Sequence, residues 1–377
     1  MTVAATRPVP ARWTSNPRRS PGQRPPESDA GAEPIEFHRT LPDYAVTPLV
    51  DLPDLAERLG VGRLLVKDES SRLGLPAFKM LGASWAAYRC LAERAGTPVE
   101  PSLEALRAAV AGLPPTTLVT ATDGNHGRAV ARMARYLGLP AIVLVPSVVP
   151  DAAVERIRGE GADVRVVDVP YDDAVREAAK LCDGAEDRIL VQDTSWPGYE
   201  VTPRWIVDGY ATLFTEAASQ LVEAGIAADA EVTVVVPAGV GSLAHAAVLH
   251  CRREPGWRAV TVEPDVAPCI AASLAAGELS SVDTGETSMA GLNCGTPSTL
   301  AWPDLHTDLA GGVVVTDAES AVAAESLQGH GVDSGPCGAA SLAAARIMAG
   351  DPGARTDLGL HHGSTVLLLN TEGAPRD

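Results

Sequence analysis

Lysine is almost missing from this chain of 377 residues. Only Lys67, Lys79 and Lys180 occur, so 27 of the 30 basic residues are arginine. Aromatic residues make up 4%, which leaves Ala, Val and Leu to build the cores. No apolar run approaches the roughly 20 residues needed to span a bilayer. The N-terminus lacks the apolar centre of a signal peptide, so a cytoplasmic location is the default expectation. The six cysteines (positions 90, 182, 251, 269, 294 and 337) form no C-x-x-C pair, which disfavours a zinc module or a disulfide scaffold. Cys269 and Cys294 fall in expected loops and are a candidate pair, although thiols that merely pack are commoner. His245 and His250 are five apart on one expected helix, not the four that stack a metal pair, and His361 and His362 read as loop residues. No metal is expected. Positive charge is also short. The net charge of −18 argues against nucleic acid and anionic membrane surfaces as partners and for simple solubility.

What is present is globular: 46% hydrophobic and 21% charged residues, in a chain long enough for two domains with cores. Residues 1–35 are rich in Pro, Arg, Ser and Gly and read as a disordered tail. Beyond them, short apolar runs alternate with helical stretches. "RLLVKDE", "TTLVTA", "PAIVLVP", "DVRVVDV", "RILVQD", "EVTVVVP", "RAVTVEP", "GGVVVTD" and "STVLLLN" read as strands. Strands separated by helices, with continuous Val/Ile/Leu character, imply two open, mostly parallel sheets with flanking helices, an α/β fold. Breaks near "FKMLGAS" and "VQDTSWPGYE" suggest a small domain, 85–188, inserted in a larger one made of 36–84 and 189–373.

"PAGVGSLA" follows a strand and opens a helix. Gly239, Val240, Gly241, Ser242, Leu243 and Ala244 match G-x-G-x-x-A, and Glu263 lies 24 residues on. That fits a dinucleotide fingerprint, but the physics calls for a phosphate more firmly than for a nicotinamide: glycines permit close approach and helix-terminal N–H groups hold the anion. A tight strand–helix turn without a ligand is the plain alternative. "TDGNHG", Thr122 to Gly127, is a second turn of anion-binding shape, in which Asp123 is otherwise a helix cap. Lys79, in the nearly chargeless "LGLPAFKMLGAS", then has work to do. A lysine in apolar surroundings near a phosphate site suits an amine made nucleophilic by burial, able to condense with an aldehyde. Lys67 reads as a strand-end ion-pair residue and Lys180 as a solvated one. "SGPCGAA", Ser334 to Ala340, reads either as a pocket wall or as a helix start.

"KDESSRLGLPAFKMLGAS", "TATDGNHGRAVA", "VQDTSWPGYE", "PAGVGSLA", "MAGLNCGTPS", "DSGPCGAA" and "LLLNTEG" occur in the order found in diaminopropionate ammonia-lyases. The chain resembles these enzymes from about Phe37 to Gly373. They are pyridoxal-phosphate enzymes shaped like the tryptophan synthase β chain. The resemblance implies that Lys79 carries the cofactor and that Gly239 to Leu243 bind its phosphate. It implies that Asn125 contacts the ring hydroxyl and that Asn370 and Thr371 lie by the pyridine nitrogen. Thr122, Gly124 and His126 would receive the substrate carboxylate, with a helix cap as the other use of His126. Asp123 and Asp193 would be the catalytic carboxylates; a strand-end turn cap is the other reading of Asp193. The chain departs from dehydratase relatives at Asp123 and at Asn370, where serines are usual. The activity implied is β-elimination of 2,3-diaminopropionate to pyruvate and ammonia, by a homodimer acting on a small amino acid. A serine or threonine dehydratase or other β-replacement enzyme, a nicotinamide-dependent dehydrogenase, and a catalytically silent binding protein are the competing readings.

Overall fold

Strands whose every side chain is buried need cover on both faces, and this chain has two such strands side by side. In a computed structural model, which describes residues 11–20, 33–122, 124–254 and 256–375, β8 (Val232–Pro237) and β11 (Thr365–Asn370) are buried along their whole length. They sit near the middle of a seven-stranded sheet. The other members are β1 (Trp13–Ser15), β2 (Leu49–Asp51), β3 (Arg63–Asp68), β9 (Trp257–Pro264) and β10 (Gly311–Val315), in the order β1-β10-β9-β8-β11-β3-β2. The five inner strands are parallel, and the edge strands β1 and β2 run antiparallel. A second sheet is wholly parallel. It contains β4 (Thr117–Ala121), β5 (Ala141–Pro146), β6 (Asp163–Val167) and β7 (Arg188–Leu190), in the order β6-β5-β4-β7.

Residues 11–20 correct the expectation of a disordered tail through residue 35. Trp13 to Ser15 pair with β10, Trp13 Nε1 donates to Asp357 Oδ2 at 2.8 Å, and the Trp13 ring lies where any side chain on Gly311 would go. These contacts are far apart in sequence, and composition carries no trace of them. The boundary expected between 84 and 85 falls inside a single helix, Lys79–Ala95. That helix crosses Val201–Gly209 at two glycines: a Cβ on Gly82 would stand 2.6 Å from the Tyr210 ring, and one on Gly209 2.5 Å from the Leu81 carbonyl. Their close approach seats the helix whose first residue is Lys79.

Beneath the sheet lies a buried charge cluster. Lys67 Nζ donates to Glu216 Oε2 at 2.8 Å; Arg72 reaches Glu216 at 2.7 Å and Glu69 at 2.6 Å, all with side chains at most 1% exposed. Two cations face two anions, the condition under which buried charges are tolerated. Lys180 is exposed, as expected. Among the described residues, no helix is long and apolar enough to cross a membrane, and no group of three or more His, Cys, Asp or Glu is placed to hold a metal.

Candidate active site

Parallel sheets put their binding crevices beyond the carboxyl ends of the strands, and here both sheets point those ends at one cavity of about 290 Å³. Lys79 follows β3, the glycine turn follows β8, and Thr371 and Glu372 follow β11. Asn125 follows β4, Pro146 to Pro150 follow β5, and Asp193 follows β7; all of these contribute to the lining except residue 147. Gly239, Val240, Gly241, Ser242 and Leu243 all line it.

Lys79 Nζ donates to Asp193 Oδ2 at 2.8 Å, and the lysine side chain is 25% exposed. The other oxygen of Asp193 accepts from Gln192 Nε2 at 3.2 Å. Burial pushes the Asp193 carboxyl up, but His126 and Lys79 overcompensate and hold it well below the usual carboxylate range. His126 is buried behind Asp193: its Nε2 donates to the Val191 carbonyl at 2.8 Å, and its Nδ1 stands 3.8 Å from Asp193 Oδ2. Ser242 Oγ donates to the Asp193 carbonyl at 3.1 Å, so the glycine turn is tied to the loop that carries the acid.

The glycine turn is built for an anion. Gly241 has φ +98°, a left-handed conformation that favours glycine. A Cβ on Gly239 would lie 2.8 Å from Cys294 Sγ. The helix Ser242–Cys251 begins here, and the N–H groups of a first helical turn have no intrahelical acceptor. Glu263, the residue that suggested a dinucleotide, is fully buried and takes no part. It accepts from the N–H groups of Ile270 and Ala271 at 2.7 and 2.8 Å, and burial pushes it up to about 8 against those donors. It caps a neighbouring helix, Cys269–Ala276, and is not free to bind a ribose. Cys269 and Cys294 both come to Gly239, as thiols: Cys269 Sγ is 3.6 Å from the Gly239 carbonyl.

The remaining expected residues divide. Thr122 is buried and shapes the second turn, its Oγ1 accepting from the N–H groups of Gly124 at 2.9 Å and Gly127 at 3.0 Å. Gly124 (φ +155°) lines an adjoining cavity of about 520 Å³, which shares Asn125 and Glu372 with the first. Asp123 lies outside the described residues. Asn370, expected beside the ring nitrogen, is corrected: it does not reach the cavity. Its Nδ2 donates to Asp68 Oδ1 at 2.7 Å and to the Asp333 carbonyl at 2.8 Å, and its Oδ1 accepts from Ser334 Oγ at 2.7 Å. Thr371 faces the other way and lines the cavity, with a buried Oγ1 that has no hydrogen-bond partner among the described residues.

Glu372 and Cys337 line the cavity, and neither was singled out as a site residue in the sequence. "SGPCGAA" supplies Cys337 as a wall residue, at the start of the helix Pro336–Gly350. The "NTEG" motif was the only signal for Glu372. The segment before Lys79 is laced to the same strand end: Ala77 bridges Glu372, Phe78 N–H donates to the Thr371 carbonyl at 3.3 Å, and Gly373 N–H donates to the Pro76 carbonyl at 2.9 Å.

An amine, a glycine-lined helix start and a buried hydroxyl without a partner among the described residues line one cavity and fit pyridoxal phosphate. The aldehyde, the phosphate and the ring nitrogen each find a group. The comparisons agree. Residues 40–371 match the family described as pyridoxal-phosphate dependent enzyme. A diaminopropionate ammonia-lyase of Salmonella typhimurium is 40% identical over 73% of this chain and 70% of its own length. One of Escherichia coli is 36% identical over 90% and 87%. The solved Escherichia coli diaminopropionate ammonia lyase, in complex with an aminoacrylate-PLP azomethine reaction intermediate, superposes with a TM-score of 0.84 at 33% identity, covering 97% of this chain and 95% of that one. With its fold, its lysine and its glycine turn accounted for together, the chain belongs to the family of pyridoxal-phosphate dependent enzymes.

Proposed function

We propose that the protein is an ammonia-lyase that converts 2,3-diaminopropionate to pyruvate and ammonia. The observation that carries this reading is the 2.8 Å pairing of Lys79 with Asp193 in the cavity that also holds the glycine turn. Lys79 would carry the cofactor through Nζ, the N–H groups of Gly239 to Leu243 would hold its phosphate, Asn125 would meet the ring hydroxyl and Thr371 the ring nitrogen. When bound, pyridoxal phosphate supplies an electron sink for the pair left behind when the α-proton of an amino acid is removed.

The protein's own part is charge and protons. An amine leaves readily only as it gains a proton. The Asp193 carboxylate keeps a proton of Lys79 Nζ one hydrogen bond away, at the cavity wall. The same carboxylate attracts a second substrate ammonium. At about 4 Å and an intermediate dielectric this is worth about 4 kcal/mol, before desolvation is subtracted. A serine or threonine hydroxyl gains none of it, which favours the diamine over a dehydratase substrate. Asp123 is the second carboxylate of this reading, serving the opposite face of the α-carbon, and the turn Thr122 to His126 receives the substrate carboxylate. A homodimer, a cytoplasmic location and a small domain inserted in a larger one belong to the same proposal.

The test is a substrate panel. The purified, cofactor-loaded chain is given D- and L-2,3-diaminopropionate, serine and threonine, and pyruvate and ammonia are measured. Faster pyruvate release from serine would overturn the substrate. Absence of an oxo acid from every member would overturn the elimination.

A further inference from the structure

Glu372 lines both cavities, and the reaction described above gives it nothing to do. Its Oε2 accepts from Asn125 Nδ2 at 3.0 Å and its Oε1 accepts from Cys337 N–H at 3.3 Å. The backbone beneath is pinned on both sides: the Glu372 carbonyl accepts from Gly335 N–H at 3.0 Å, Ala77 bridges it, and Gly373 N–H donates to Pro76. Cys337 is in the first turn of the helix Pro336–Gly350, and Asn125 is the first residue of the helix Asn125–Leu137. A carboxylate between two helix N-termini is electrostatically favoured.

The two ends of an asparagine amide are nearly the same in shape and opposite in hydrogen bonding. A carboxylate accepts only. Opposite Glu372, Asn125 has to present its NH₂, and among the described residues one of the two Nδ2 hydrogens stays uncommitted at the cavity that Asn125 also lines. We propose that Glu372 is a positioning residue that locks the Asn125 amide with its donor toward the ring hydroxyl of the cofactor. The inference rests on the cofactor reading given above.

The isosteric Glu372→Gln variant isolates the lock. With the Gln oxygen kept on Cys337 N–H, its NH₂ faces Asn125, which then turns its own oxygen to meet it. The ring hydroxyl loses a donor and meets an acceptor, while the packing is unchanged. Four full-length chains are compared: wild type, Glu372→Gln, Asn125→Ala and the double variant. For each, pyridoxal phosphate affinity is read by fluorescence titration of the cofactor-free protein. The pH dependence of the bound cofactor's absorbance and the thermal midpoint of the cofactor-free protein are read alongside.

Glu372→Gln should weaken cofactor binding by about tenfold, the scale of one charge-assisted hydrogen bond. It should move the absorbance midpoint, with only a small drop in the thermal midpoint from the charge lost between the two helix starts. In the Asn125→Ala background the same change should add nothing further, because its effect passes through Asn125. A wild-type affinity and spectrum in Glu372→Gln would overturn the inference. So would losses that multiply in the double variant. A wild-type chain that takes up no pyridoxal phosphate would remove the cofactor reading and this inference together; a wild type that loads beside variants that match it removes only the inference.

Discussion

Lys79 and Asp193 come from different sheets, yet Nζ and Oδ2 meet at 2.8 Å across the cavity. The lysine begins a helix after β3, and the acid follows the end of β7. An ion pair between them aligns the two sheets at the point where chemistry is expected. Lys79→Ala removes the amine that would hold the cofactor covalently. Turnover should fall below detection, and the absorbance of the lysine-bound cofactor should disappear, as read by a spectrum of the dialysed protein. Retention of both would exclude Lys79 as the attachment point.

Asp193→Asn keeps the shape and removes the charge. Loss of a positioned acid–base group costs about 10²–10⁴-fold in rate, so kcat with diaminopropionate should drop by that order while cofactor affinity changes little. The pH dependence has a definite sign. Lys79 and His126 hold the Asp193 carboxyl below its ordinary range against the push of burial, so it stays ionised as pH falls through the ordinary carboxylate range. The acid limb of the wild-type rate profile above about pH 5 should therefore come from another group and survive in the variant. Equal loss of cofactor binding and rate would mark Asp193 as structural.

What could be read from the sequence was local. β8, β10 and β11 are runs of Val and Leu with turn residues at their ends, and the glycine turn and Lys79 stand out because each breaks a local habit, one of backbone and one of composition. Of the expected pair Asn370 and Thr371, only Thr371 lines the cavity. Side chains alternate along a strand, so Asn370 and Thr371 face opposite ways, and the sequence does not say which of two polar neighbours faces the cavity. The packing of Asn370 onto Asp68 and Ser334 decides it. Nothing in the sequence marks the helix start at Lys79, because Phe78, in the N-cap position, makes no side-chain cap bond. Glu372 was missed because its partners, Asn125 and the bridged Ala77, lie hundreds of residues away.

Gly241→Ala tests the phosphate turn. A Cβ at φ +98° is strained by about 1–2 kcal/mol and would press on Leu305 at 2.9 Å and Ile270 at 3.3 Å. The turn should shift and pyridoxal phosphate affinity should fall by about tenfold. Gly184→Ala is the control. It too has a left-handed φ, +66°, with nothing within 4 Å of its added Cβ, and it should leave cofactor affinity unchanged in the same titration.

The buried cluster governs acid stability. Burial pushes Glu216 up, but Arg72 and Lys67 pull it down to about 2, from an ordinary value of 4.5. A depressed carboxyl stabilises the fold fully above the unfolded value, and that stability is lost as pH falls from about 4.5 toward 2. Glu216→Gln leaves two buried cations facing one anion and should cost about 3–5 kcal/mol near neutral pH. Urea unfolding at a series of pH values reads both effects, and the gap between wild type and variant should narrow below pH 4.5. His38 adds its own slope from pH 6.5 down to about 3, because burial holds it neutral. Burial sets most of that slope and the Glu216 charge only opposes it, so it should persist in the variant and reach slightly lower pH. A gap that stays constant with pH would show that Glu216 is not ionised in the native state.

Thr371 gives a test in which stability and binding move in opposite directions. Its hydroxyl is buried beside the cavity without a partner among the described residues, and an unsatisfied buried polar group costs about 1–3 kcal/mol. A protein that keeps such a group at the end of its central strand gains nothing from it until a ligand arrives. Thr371→Val replaces the hydroxyl with a methyl of nearly the same size. The cofactor-free variant should unfold at the same temperature as wild type or a few degrees higher. Its affinity for pyridoxal phosphate should drop by about tenfold, because the ring nitrogen then meets a methyl. A hydroxyl that served the fold alone would give the reverse pair of signs, a less stable cofactor-free protein with unchanged affinity.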